Sequence, residues 1–177
     1  MTSPSTAEKH ATRVLEEAGV DELPVPVEAI ATSLGIDLQY ESYDGEVSGM
    51  LYRHADGAVI GVNSMHAPTR QRFTIAHEIG HYDMHKGTPI FIDRFARVNW
   101  RNGESNQEEA QANAFAAELL MPREFVQREV ERALTKRHDV TAQQLSSDLA
   151  KVFSVSAEAM QYRLANLGVL DPHQLVG

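Results

Sequence analysis

His77-Glu78-Ile79-Gly80-His81 sets two imidazoles four residues apart, with a carboxylate directly after the first. On a helix, residues i and i+4 stack on one face, so both rings can reach a single metal ion. Glu78 then stands beside the open coordination position, where a general base for a metal-held water belongs. Spacing matters more than residue type here, since histidines at i and i+2 would point to opposite sides. The competing reading is a pair of core histidines. The surroundings favour the metal, because Phe73, Ala76, Ile79, Gly80 and Met84 recur at helical spacing around the motif. Pro68 suits the first helical position and Gly87 the end. Gly80 costs about 1 kcal/mol of helix propensity against Ala. A close approach by a strand, a substrate or a packing partner would explain it.

A catalytic zinc takes three protein ligands plus water, so one more ligand must come from elsewhere in the chain. The metzincin arrangement is absent: Gly87 stands where a third His is needed, and Met84 replaces the required Gly. His85 falls near the same helical stripe as His77 and His81. Three ligands along one straight helix would span about 12 Å, too far for one ion, so His85 is read as a supporting residue. The better source is the helix predicted over Ser105 to Leu120. Ser105 and Glu108 have the spacing of a capping box, which leaves Glu109 to face the metal. Asn113, one turn later, can hydrogen-bond a ligating histidine and fix its tautomer. Ala110, Ala112, Ala114, Ala116 and Ala117 make this helix thin enough to approach the motif closely. The alternative for Glu109 is a solvated acidic helix start, favoured by the macrodipole.

Arg72 to His81, then Phe91-Ile92-Asp93-Arg94, Arg97-Val98-Asn99, Glu109 to Asn113 and Phe115 to Pro122 together resemble the ImmA/IrrE family of zinc-dependent metallopeptidases. The match runs over about residues 45–125. The resemblance implies an α+β, zincin-like (thermolysin-type) domain binding one zinc ion per chain. His77, His81 and Glu109 would be the metal ligands and Glu78 the catalytic residue. Glu109 and Asn113 match the Glu-x-x-x-Asp/Asn arrangement of that site, whereas Gln111 stands where relatives often carry a second Glu. It also implies a protein substrate, a helix-turn-helix transcriptional repressor inactivated by cleavage in a phage, mobile-element or stress-response switch.

The chain has 177 residues, 42% of them hydrophobic and 23% charged, which suits one soluble domain. A net charge of −9 leaves no broad electrostatic footprint for nucleic acid. With no cysteine, disulfides and thiolate zinc sites are excluded. No apolar run approaches the ~20 residues of a membrane span, and Met1 to Ser5 lacks the features of a signal peptide. A cytoplasmic protein is expected.

Residues 1–5 read as disordered, followed by helices over Thr6 to Ala18 and Val25 to Leu34. Ile36 to Glu41, Val47 to Arg53 and Ala58 to Val62 read as a small antiparallel sheet packed on the motif helix, with turns at Asp44-Gly45 and Asp56-Gly57. Such a sheet can hold an extended peptide at an edge strand. Residues 87–104 read as an irregular link containing Ile90-Phe91-Ile92, the Asn102-Gly103 turn and Trp100, which either contacts substrate or anchors the core. A further helix runs from Pro122 to Leu134. Residues 1–136 are thus read as the peptidase domain, and 137–177 as a helical extension packed on it.

Thr141 to Val152 and Ala157 to Leu167 form a helix-turn-helix pattern. From Thr141 to Gly177, however, there are two basic residues against three acidic ones, and Arg163 is the one base on the second helix. Phosphate contacts dominate DNA affinity, and this surface supplies few. Leu145, Leu149, Phe153, Met160, Leu164 and Leu167 suit packing instead. Two other functions stand beside the peptidase: a non-proteolytic antirepressor or antitoxin-like binder with a structural zinc, and a DNA-binding regulator. Retention of Glu78 favours the enzyme, and charge disfavours the DNA reader. His66, Tyr82, His85 and Tyr162 are the candidates for stabilising an oxyanion.

Overall fold

Ala58-Val59-Ile60-Gly61-Val62 is the most continuously apolar stretch before the motif, and the sheet is built around it. The computed structural model describes residues 4–43, 47–55, 57–86, 90–94, 103–136 and 139–171. Strands β1 (Ile36–Glu41), β2 (Val47–His54), β3 (Gly57–Asn63) and β4 (Ile90–Arg94) form one sheet in the order β1-β3-β2-β4. The β2–β3 and β2–β4 pairs are antiparallel, but β1 runs parallel to β3. The sheet is therefore mixed, which corrects the expected antiparallel ladder. Burial explains the order. Ala58 and Ile60 to Asn63 are buried and need a neighbour on each side, whereas β1 exposes Asp37, Gln39, Tyr40 and Glu41 and suits an edge.

Ile90-Phe91-Ile92, expected in an irregular link, instead opens β4, with Ile92 opposite Met50 and Phe91 opposite Leu51. The expectations for Asp44-Gly45, Asp56, Gly87, Asn102 and Trp100 fall outside the described residues.

Seven helices are present among the described residues: α1 (Thr6–Glu17), α2 (Val27–Ser33), α3 (Pro68–Met84), α4 (Gly103–Leu120), α5 (Arg123–Lys136), α6 (Ala142–Phe153) and α7 (Ala157–Asn166). The start of α1 is ordered further than expected. Ser5 Oγ accepts from the Glu8 N–H at 3.2 Å while the Glu8 carboxylate accepts from the Ser5 N–H at 2.7 Å, a complete capping box. α4 begins at Gly103, two residues before the start expected at Ser105, and the side chain of Ser105 lies outside the described residues. Thr141 and Gln144 cap α6 reciprocally, and Ser154 ends that helix in the left-handed region at φ 52°.

One buried apolar cluster joins the layers, running from Val14 of α1 through Ile60, Ile79 and Phe115 to Phe153 and Leu164. Arg163 of α7 fastens this end of the molecule. It is 4% exposed, donates from Nε to Met121 O at 3.0 Å and from Nη1 to Glu8 Oε1 at 3.3 Å, and pairs through Nη2 with Glu118. The single base on the second helix of the helix-turn-helix pattern is thus committed to the protein's own carboxylates. Among the described residues, no helix is long and apolar enough to cross a membrane.

Candidate metal centre

Every residue of α3 from Thr74 to His81 is buried. A helical stretch covered on all sides is ordinarily apolar, yet this one contains His77, Glu78 and His81. Pro68 stands at the start of the helix, as its fixed φ and missing N–H favour. Two glycines let neighbours close over the buried stretch. A Cβ at Gly80 would lie 3.1–3.2 Å from Phe115 of α4, so this glycine serves helix–helix packing, the last of its three possible roles. A Cβ at Gly49 of β2 would overlap the Thr74 methyl and sit 2.9 Å from the Gly61 carbonyl oxygen. The same position faces Glu78 Oε1 at 3.8 Å, so β2 lies directly over the buried carboxylate.

α3 and α4 bring His77, His81 and Glu109 together. The Nε2 atoms of His77 and His81 are 3.0 Å apart, and Glu109 Oε2 and Oε1 lie 3.2 Å and 3.3 Å from them respectively. Ligand atoms at ~2.0–2.1 Å around a tetrahedral ion stand about 3.4 Å from one another, so three corners of such a polyhedron are nearly in place. These three residues can hold a metal ion.

The hydrogen bonds behind the ligands agree with that assignment. His77 Nδ1 is 3.0 Å from Asn113 Oδ1, as the spacing of Glu109 and Asn113 suggested. His81 Nδ1 is 2.9 Å from His85 Nδ1, and His85 Nε2 is 3.0 Å from Gln111 Oε1. Amide oxygens accept, so one self-consistent set of tautomers exists. His77 Nδ1–H donates to Asn113, His81 Nδ1–H donates to His85, and His85 Nε2–H donates to Gln111. In that set both Nε2 atoms are unprotonated and face each other and a carboxylate, a donor set suited to a cation.

Burial, the largest influence, pushes the His81 imidazole below its usual value, while Glu109 pulls the other way. A neutral imidazole is the form that binds a metal. Burial also opposes ionisation of Glu109, but His77 and His81 in their protonated form overcome it through hydrogen bonds and charge and hold the carboxyl far below the ordinary range; a metal cation would do the same beside the neutral imidazoles.

His85 therefore stands behind His81, outside the cluster of three, and Gln111 stands behind His85. Arg53 is a contributor that no sequence pattern flagged, and Gln111 was singled out as a position where relatives carry Glu, not as a partner of His85. Arg53, on β2, donates to the carbonyls of His81 at 2.7 Å, Tyr82 at 3.3 Å and His85 at 3.0 Å, closing the C-terminal end of α3. Its guanidinium also lies 5.1 Å from the Tyr82 ring centre. Of the oxyanion candidates, Tyr82 donates its hydroxyl to Leu34 O at 3.4 Å and His85 is engaged as above. Tyr162 stands exposed on α7, and His66 lies between β3 and α3.

Residues 31–165 match the peptidase family described as the IrrE N-terminal-like domain. The chain belongs to the ImmA/IrrE family. It is similar to Metallopeptidase ImmA of Bacillus subtilis (strain 168), with 29% identity over 126 residues, or 70% of this chain and 66% of that protein. A Mycobacterium tuberculosis transcriptional regulator shares the fold, with a TM-score of 0.58 at 21% identity over 90% of this chain. The chain covers 46% of that structure, so it spans about two thirds of one relative and about half of the other. The ImmA/IrrE match takes in α3, α4 and the whole metal cluster, and extends through α6 into α7.

Proposed function

We propose that this ImmA/IrrE chain is a zinc-dependent metalloendopeptidase of zincin-like architecture, acting on a helix-turn-helix transcriptional repressor. The convergence of His77, His81 and Glu109 at 3.0–3.3 Å, with the buried Glu78 carboxylate on the same helix turn, carries this reading. Zinc, when bound, would supply Lewis acidity, bringing a water's pKa toward about 7 and polarising the scissile carbonyl. Glu78 takes the proton of the attacking water on its carboxylate and returns it to the leaving amine. Asn113 and His85 hold the two imidazoles in the tautomers that leave Nε2 unprotonated. The sheet offers a place for the peptide. Among the described residues its edges are β1 and β4, and β4 pairs with β2, the strand that lies over Glu78. A peptide would add along β4 as a further strand.

The repressor as substrate follows from the family resemblance, and a repressor meets its protease in the cytoplasm, the compartment expected for the chain. Burial of Arg163 supports a protein substrate over direct DNA reading. Glu78→Gln tests the chemistry, because it keeps the side chain's size and removes its basicity. Zinc should remain at about one ion per chain while cleavage, followed by gel and mass spectrometry, falls by ~10²–10⁴-fold or more. Wild-type protein that relieves repression without cleavage, matched by Glu78→Gln, would make the chain a zinc-stabilised antirepressor instead.

A further inference from the structure

A cavity of about 260 Å³ opens where α3, the end of α4 and α7 meet. Phe73, Leu120, Met121, Val155, Ala159 and Tyr162 give it an apolar lining, with Arg70 and Glu158 as its charged members. Leu120 and Met121 are buried, whereas Tyr162 is 57% exposed and stands at the mouth.

Two routes connect this cavity to the metal centre. Phe73 lies one turn before His77 on the same face of α3, and the two rings are 6.1 Å apart. Arg70 donates from Nη2 to Ser48 Oγ at 2.9 Å, with its guanidinium 5.6 Å from the Phe73 ring centre. Ser48 in turn precedes Gly49, the residue over Glu78. The cavity wall is thus continuous with both the ligand-bearing helix and the strand that covers the carboxylate. The cavity wall begins at Phe73, one helical turn of ~5.4 Å before His77 along α3.

Volume and lining define the occupant. A dry apolar cavity of ~150 Å³ takes a benzene-sized group. A space of about 260 Å³ has room for one leucine, methionine or phenylalanine side chain.

We propose that this cavity is a specificity subsite that receives one large apolar side chain of the bound peptide, with α7 as its outer wall. The proposal rests on the peptidase reading and adds to it a substrate preference and a role for α7.

The test uses the zinc-loaded full chain and peptide hydroxamates, which anchor on the metal without being cut. A leucine is moved through the positions of an otherwise all-alanine peptide, and affinity is read by calorimetry. One position should gain at least ~10-fold over the all-alanine probe. Ala159→Phe, which fills the cavity, should bring that ratio toward one. Tyr162→Ala, which removes an exposed rim, should also reduce it, and carries the test alone if circular dichroism shows Ala159→Phe to be misfolded. Equal binding of all the hydroxamates overturns the subsite and leaves the metal centre standing. A leucine gain that survives both variants places the preference elsewhere and also overturns it. If no hydroxamate binds the zinc-loaded protein, the metal-centre reading fails and takes the subsite with it.

Discussion

The α3–α4 pair and the α6–α7 pair are both helix pairs set into one core, yet they bury opposite kinds of surface. In α6 the covered residues Leu145, Ser146, Leu149, Ala150 and Phe153 form a stripe, with Gln143, Asp148, Lys151 and Val152 turned outward. In α3 burial runs unbroken from Thr74 to His81 and takes three titratable groups with it. An amphipathic stripe reports packing alone. A fully covered stretch with polar side chains has had to solve a desolvation problem, and the solution reveals its use. Both pairs contain such a solution. Around Arg163 one cation faces the carboxylates of Glu8 and Glu118, so the charges are answered from within the protein. Around His77 and His81 the Nδ1 partners allow a tautomer set in which the converging groups are all acceptors, and a metal ion could supply the answering charge.

The contrast breaks most visibly at Arg163. Arg163→Met should cost about 3–5 kcal/mol in urea unfolding, because two carboxylates lose their buried cation, while metal stoichiometry stays unchanged. Adding Glu118→Gln should recover part of that loss, since the amide oxygen can still accept the Arg123 N–H that Glu118 Oε1 receives at 3.1 Å. Loss of metal in Arg163→Met would show that the two pairs are not separable.

Gln111→Leu sharpens the comparison from the other side. It removes the acceptor at the end of the His81–His85 chain, so metal affinity in chelator competition should fall about 10–100-fold. Stability should change far less than in Arg163→Met. Unchanged affinity would reduce the chain of imidazoles to packing.

The smallest effect belongs to Asp83, which ties α3 to α1 through His10 at 2.6 Å and Arg13 at 2.6 Å. Burial alone would raise this carboxyl, but hydrogen bonds and charge from Arg13 and His10 outweigh it and hold the group below its usual value. Its stabilisation is therefore present above the unfolded value near 3.8 and is lost as pH falls through the lowered folded one. Asp83→Asn should cost no more than ~1 kcal/mol at neutral pH. The wild-type and variant stabilities should converge on acidification. A difference that persists at low pH would mean the contact is not ionic.

The residues that form the metal cluster were legible because helical periodicity is a local rule. His77 and His81 share a face by spacing, and Glu109 and Asn113 do the same one helix later. Gln111 was not legible as a partner of His85, since i and i+2 on α4 diverge and only the packing angle of the two helices brings Gln111 back. The sheet shows the same limit. Each strand before α3 was recognisable from alternation and turn residues, but the parallel pairing of β1 with β3 depends on which strand needs two neighbours. Ile90-Phe91-Ile92 was too short a run to distinguish from a loop, and its pairing with β2 spans the whole of α3.

Arg53 has a mechanical consequence. Its guanidinium holds the last carbonyls of α3 from a strand that also presses Gly49 onto Thr74, so the helix is stopped against sliding along its axis and against lifting from the sheet. On the peptidase reading, a bound peptide would meet a helix held at both contacts, and any adjustment to its thickness would fall to the peptide or to α4.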